Sequence, residues 1–162
     1  AIAQLVDGWA TRRRLTQVLD APVDGLTDTA ESLQAAHERS TAANEQLAIE
    51  LARLRLQQLP RSGTTGWVVG EIDGVPPAGI EAALRAEGPA DAAVSIPGDR
   101  LRLMVAAGPA YDAAILVDRV TDSLGGGGGG SPDFAQAGGL PADTTAVMEA
   151  VEDVVIELGD AA

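Results

Sequence analysis

Residues 125–139 read Gly-Gly-Gly-Gly-Gly-Gly-Ser-Pro-Asp-Phe-Ala-Gln-Ala-Gly-Gly, and the reading of the six glycines decides the fold of the region around them. A glycine run is first of all a flexible linker. It also satisfies G-x-G-x-x-G trivially, but a dinucleotide fingerprint follows a strand, and the pattern before residue 125 is helical. A phosphate-binding P-loop needs Gly-Lys-[Ser/Thr], and all 11 basic residues here are Arg, so that motif is excluded. The linker reading sits poorly with flanks that both look folded. The spacing therefore predicts a close-approach loop, in which bare backbone N–H groups line a concavity or pack on another backbone.

Working outward, Ala113, Val117, Val120 and Leu124 fall on one face of a helix over residues 112–124. Upstream, residues 91–97 and the alternation of Leu101, Leu103 and Val105 with Arg102 and Met104 predict two strands. The turn at Gly98-Asp99 pairs them as an antiparallel hairpin. Residues 66–73 read as another strand, and Pro76-Pro77 opens a helix to about Glu87. Downstream, Pro141-Ala142-Asp143 opens a last helix carrying Val147, Val151, Val154 and Leu158, whose β-branched end at Val154-Val155-Ile156 is also compatible with a strand.

Residues 27–59 contain no internal Gly or Pro and form the clearest helix, stopped by Pro60, Ser62 and Gly63. Heptads place Leu33, Ser40, Leu47 and Leu54 at d and Ala30, His37, Asn44 and Leu51 at a, with Asn44 fixing register and His37 a filler. A second seam runs through Ala42, Ile49 and Leu56. Two seams predict two contacts, one to a partner helix and one to neighbouring protein; a single helix packed on its own domain is the simpler alternative. Residues 1–20 read as a further helix, broken by Pro22 and Gly25. The fold class expected is α+β, α/β-like: a small mixed-sheet domain with flanking helices at residues 63–162, on an N-terminal long-helix, coiled-coil stalk at 1–62.

The stretch 125–139 resembles the glycine-rich signature GGxGGGRPxxAQxGG of the C-terminal DHH-associated domain of alanyl-tRNA synthetases, also found in free-standing alanyl-tRNA editing proteins. Pro132, Ala135, Gln136, Gly138 and Gly139 match together with the glycine block. Ser131 stands where the family has Arg, so that guanidinium is missing from this chain. DHH phosphoesterases carry a related domain with a Gly-Gly-Gly-His core, and this chain has no His there. The resemblance covers most of the chain in element order and is strong over about 15 residues. It implies a C-terminal tRNA-binding and dimerisation module, with alanine-type tRNA as partner and a homodimer through the long helix. It places the catalytic domains, with their ATP and zinc, outside this chain. The fragment itself is then expected to be non-catalytic and cofactor-free, in a cytoplasmic parent. Alternatives are a pure oligomerisation module, or the nucleotide- or substrate-holding domain of a DHH-type phosphoesterase.

Composition sets limits beside that resemblance. Cys is absent and His37 is the only His, which excludes a His triad and a two-His metal site; catalytic and metal residues are expected to be none. Aromatics make only 2%, so the core is built from Ala, Val, Leu and Ile, and base stacking is not the main mode of any RNA contact. No apolar run approaches about 18 residues, so a membrane span is not expected. The chain starts at Ala, which fits a piece of a longer protein. A formal charge of −13 disfavours a general nucleic-acid binder. The Lys-free, Asp-rich balance also fits a halophilic source, whose salt screens self-repulsion and leaves local donors to make contacts. Candidate tRNA-contacting groups are Gly125, Gly126, Gly127, Gly128, Gly129, Gly130, Gln136, Arg100, Arg102 and Arg119; Gln136 serves equally as a structural tie. Arg12, Arg13 and Arg14 read as a solvated helix face. Candidate dimer residues are Leu33, Asn44, Leu47, Leu51 and Leu54.

Overall fold

The computed structural model describes residues 2–20, 22–87 and 91–160, and omits the side chains of 2–10, 23, 87 and 160. Its contacts separate two units, Ala1–Glu45 and Gln46–Ala162.

The first unit contains α1 (Ile2–Leu19) and the opening turns of α2 (Leu26–Gln58). Among its described residues no side chain is buried; Leu15, Val18 and Leu33 are all exposed. A helix without a buried face draws its stability from propensity and local pairs alone. Here Gln34 donates to Glu38 at 3.0 Å, one turn on.

The second unit is a mixed sheet of five strands in the order β1-β2-β3-β5-β4. β1 (Val68–Glu71) runs parallel to β2 (Ala92–Ile96) through the crossover helix α3 (Pro77–Glu87), as parallel neighbours require. β2 and β3 (Leu101–Ala106) form the expected antiparallel hairpin, with Val94 opposite Met104. α4 (Ala113–Leu124) follows, capped by Asp112, whose carboxylate accepts from the N–H groups of Ala114 at 2.9 Å and Ile115 at 3.1 Å. The last helix, α5 (Thr144–Asp160), runs through Val154-Val155-Ile156 without becoming a strand: Val151, Val154 and Val155 are buried at helical spacing.

Strand alternation divides the core in two. Leu101, Leu103, Val105, Ala135 and Ala137 face α4 and α5. Met104, Ala106 and Phe134 face the other side, with Ile80 and Leu84 of α3 and with Ala52 and Leu56 from the tail of α2. The sequence reading put residues 1–62 in the stalk; burial of Ala52 and Leu56 ties the last turns of that helix to the sheet. Of the second seam, Leu56 is buried and Ile49 half-buried, while Ala42 is exposed.

The glycine run departs from the loop expected of it. Residues 127–131 form β4 (Gly127–Ser131), which pairs antiparallel with β5 (Phe134–Leu140) across the turn Pro132-Asp133. Glycine has low strand propensity, so tertiary packing makes this strand. α4 lies so close that a Cβ on Gly128 falls 2.7 Å from Val117 Cγ1 and 2.5 Å from the Gln136 carbonyl oxygen. Gly128→Ala should therefore destabilise the chain by about 1–3 kcal/mol. In a thermal melt that is a fall of roughly 4–8 °C per kcal/mol for a unit of this size.

Candidate nucleic-acid interface

β4 is an edge strand, and Gly127, Gly128, Gly129 and Gly130 are all exposed. The turn before it is built on φ values only glycine adopts readily: +81° at Gly125, whose N–H donates to Thr121 O at 2.8 Å, and +102° at Gly126. The turn after it is held by Ser131. Its hydroxyl donates to the Asp133 carboxylate, and the Phe134 carbonyl lies 3.2 Å from the same hydroxyl oxygen. That hydrogen bond is the main reason the Asp133 carboxyl sits below the usual carboxylate range; its own backbone N–H and Arg85 act in the same direction. Ser131 thus closes the hairpin at the position where the resembling family carries Arg. Arg85, which sequence reasoning missed, lies 4.2 Å over the Phe134 ring and 3.0 Å from Glu81. Nothing in its spacing signals the ring contact, because Phe134 is far away in sequence.

The structure sorts the candidate cations. Arg119 on α4 pairs with Glu157 of α5 at 3.1 Å, on the α4–α5 side of the sheet. Arg100 donates to the Gly139 carbonyl at 2.8 Å and so ties the β2–β3 turn to the end of the glycine hairpin. It borders a cavity of about 400 Å³ with Gly125, Gly126 and Leu140. Arg102 stands apart. It is exposed on β3 and, among the described residues, its side chain has neither an ion pair nor a hydrogen bond. It opens onto a shallow groove of about 390 Å³ with Gln136, Gly127, Gly129 and Gly138. Cross-strand pairing explains the grouping: Gly129 lies opposite Gln136 and Gly127 opposite Gly138, so all four face one side. Gly138 was visible in the sequence motif, but only this pairing puts it in the groove.

The exposed leucines of α2 in the second unit form another face. Leu47, Leu51 and Leu54 are all exposed, at i, i+4 and i+7, opposite the buried Ala52 and Leu56. Leu33 and Asn44 are exposed in the first unit. Among the described residues no group of three or more His, Cys, Asp or Glu stands close enough to hold a metal ion. No helix among them is long and apolar enough to cross a membrane.

The chain is 28% identical over 151 residues to the chloroplastic/mitochondrial alanine–tRNA ligase of Micromonas pusilla. It is 30% identical over 156 residues to the alanine–tRNA ligase of Prochlorococcus marinus. This chain is similar to alanine–tRNA ligases. The two matches cover 81% and 86% of it, but it spans only 16% and 17% of the length of those relatives. Among solved structures it is similar to the C-Ala domain of Aquifex aeolicus alanyl-tRNA synthetase, at 25% identity and a TM-score of 0.45, covering 57% of this chain and 90% of that one. RecJ of Thermus thermophilus shares the fold, at a TM-score of 0.55 and 16% identity, covering 93% of this chain and 23% of that one. No family model matches.

The Asp133 carboxyl offers a local check on the hairpin. Ser131→Ala removes the largest cause of its lowered pKa. The expected result is a rise toward the ordinary carboxylate range, followed by NMR titration of the Asp133 side chain; an unchanged titration would show that the hydroxyl does not hold it.

Proposed function

We propose that this chain is a tRNA-binding and self-associating part of an alanyl-tRNA synthetase, or of an alanyl-tRNA editing protein sharing the same domain. The aminoacylation and editing chemistry, with its ATP and zinc, belongs to other parts of that parent. The observation that carries the reading is the groove beside β4. A glycine signature like that of the family folds into bare, exposed backbone next to a guanidinium free of carboxylates. RNA needs positive or hydrogen-bonding groups, and this is where the chain offers both.

The formal charge of −13 makes the contact local. Arg102, Gln136 and backbone groups do the binding, while the remaining surface repels RNA except where salt screens it. On this reading the parent works at high salt. Self-association follows from Leu47, Leu51 and Leu54, a leucine row that a second copy of the helix covers in knobs-into-holes fashion. Asn44 and Leu33 extend the same heptad series along the sequence.

Two measurements test the reading. Transcribed alanine tRNA should bind the chain at working salt; absence of binding at any salt overturns it. In light scattering at high salt the chain should be a dimer, and Leu47→Ser with Leu54→Ser should give a folded monomer, whereas a monomeric parent chain removes the self-association half.

A further inference from the structure

The six glycines are not equivalent on this fold. Gly125 and Gly126 are fixed by positive φ. Gly128 and Gly130 are fixed by sterics: an added Cβ meets the Gln136 carbonyl oxygen at 2.5 Å and the Phe134 carbonyl oxygen at 2.3 Å respectively. Gly127 and Gly129 are under neither constraint. Their φ values lie outside the left-handed region, and an added Cβ meets nothing within 4 Å; the same holds at Gly138, opposite Gly127. Packing gives no reason for glycine at these positions, where a β-branched residue would favour the strand and cover the backbone. All three border the groove of Arg102 and Gln136. In a chain with 24 carboxylates, Arg102 has no ion pair among the described residues, and the Gln136 side-chain amide has no hydrogen bond there.

From this juxtaposition we infer that the groove binds one phosphodiester step of an RNA strand by its sugar–phosphate backbone, with Gly127 and Gly129 kept bare for contact with the ribose. This rests on the tRNA-binding reading and narrows it to backbone contact at named residues. Arg102 meets the phosphate, as a planar guanidinium suits a pair of phosphate oxygens. The Gln136 amide, donor and acceptor at once, matches a 2′-hydroxyl that is also both. The groove contains no aromatic ring, so bases are not stacked there. One guanidinium means one neutralised phosphate, which fits a contact made against the repulsion of an acidic chain.

The test uses the 162-residue chain and transcribed alanine tRNA, with affinity measured over a series of KCl concentrations. Gly127→Val and Gly129→Val should keep the thermal midpoint and weaken binding about tenfold or more, equivalent to about 1.4 kcal/mol. Arg102→Gln should lower the slope of log affinity against log salt by about 0.7, the value for one single-strand phosphate. If the parent chain binds tRNA and both valine variants bind as well as it does, the inference is overturned and the tRNA reading stands. An unchanged salt slope in Arg102→Gln overturns it in the same way, and decides the matter if the valine variants fail to fold. If the parent chain binds no tRNA at any salt, the tRNA reading falls and takes the inference with it.

Discussion

The approach of α4 to β4 is the contact on which the glycine hairpin depends. Val117 is fully buried, and its methyl occupies the space that a side chain on Gly128 would take. On the same strand, Gly130 lies against the backbone of Phe134 and Ala135. These absences of Cβ let a helix with Leu116, Val117 and Val120 on its inner face lie flat over β4 and β5. The hairpin then extends the sheet beyond β3 and carries Gln136 to its outer side. Without that approach a polyglycine segment has no reason to be ordered, since its conformational entropy is the largest of any residue type.

The groove is a consequence of where side chains are missing. α3 and the tail of α2 cover the face made by Val68, Val94, Met104 and Phe134. Along β5 that face continues to Gln136 and Gly138, and along β3 it turns to Arg102. On the opposite face α4 fills the equivalent area. One sheet therefore has a covered side and a side whose outer strands lie open, and the open part is the part richest in glycine.

Much of this was legible in the sequence. The sequence pattern located α1 to α4 to within a residue or two but left the end of α5 open between helix and strand, and the alternation from Leu101 to Val105 marked the β2–β3 hairpin. The glycine strand was not legible as a strand, because strand signals are side-chain signals and β4 offers none before Ser131. The available clue was the neighbouring alternation of Phe134, Ala135, Gln136 and Ala137 after a Pro-Asp turn. Of the candidate cations, Arg102 could not be told from Arg100 or Arg119. Their partners, the Gly139 carbonyl and Glu157, are nearly 40 residues away, 39 and 38 respectively, and only folding brings them near. The opposed faces of α2 in the second unit were legible: Leu47 and Leu54 fell in one seam, Ile49 and Leu56 in the other.

An open edge strand is also a hazard, because its outward peptide groups are a template for another chain's strand. β4 has none of the usual guards among its glycines: no lysine, no proline and no bulky charge within residues 127–130. Two other properties of the chain stand in for them. Glycine gives an incoming strand no side chains to interlock with, so added pairing gains little beyond its hydrogen bonds. And at low salt an excess of 13 negative charges opposes the approach of a second copy's edge, a guard that salt screens. The acidity that makes the chain a poor general partner for RNA thus also guards its naked edge at low salt, while at high salt the bareness of the glycines is the guard that remains.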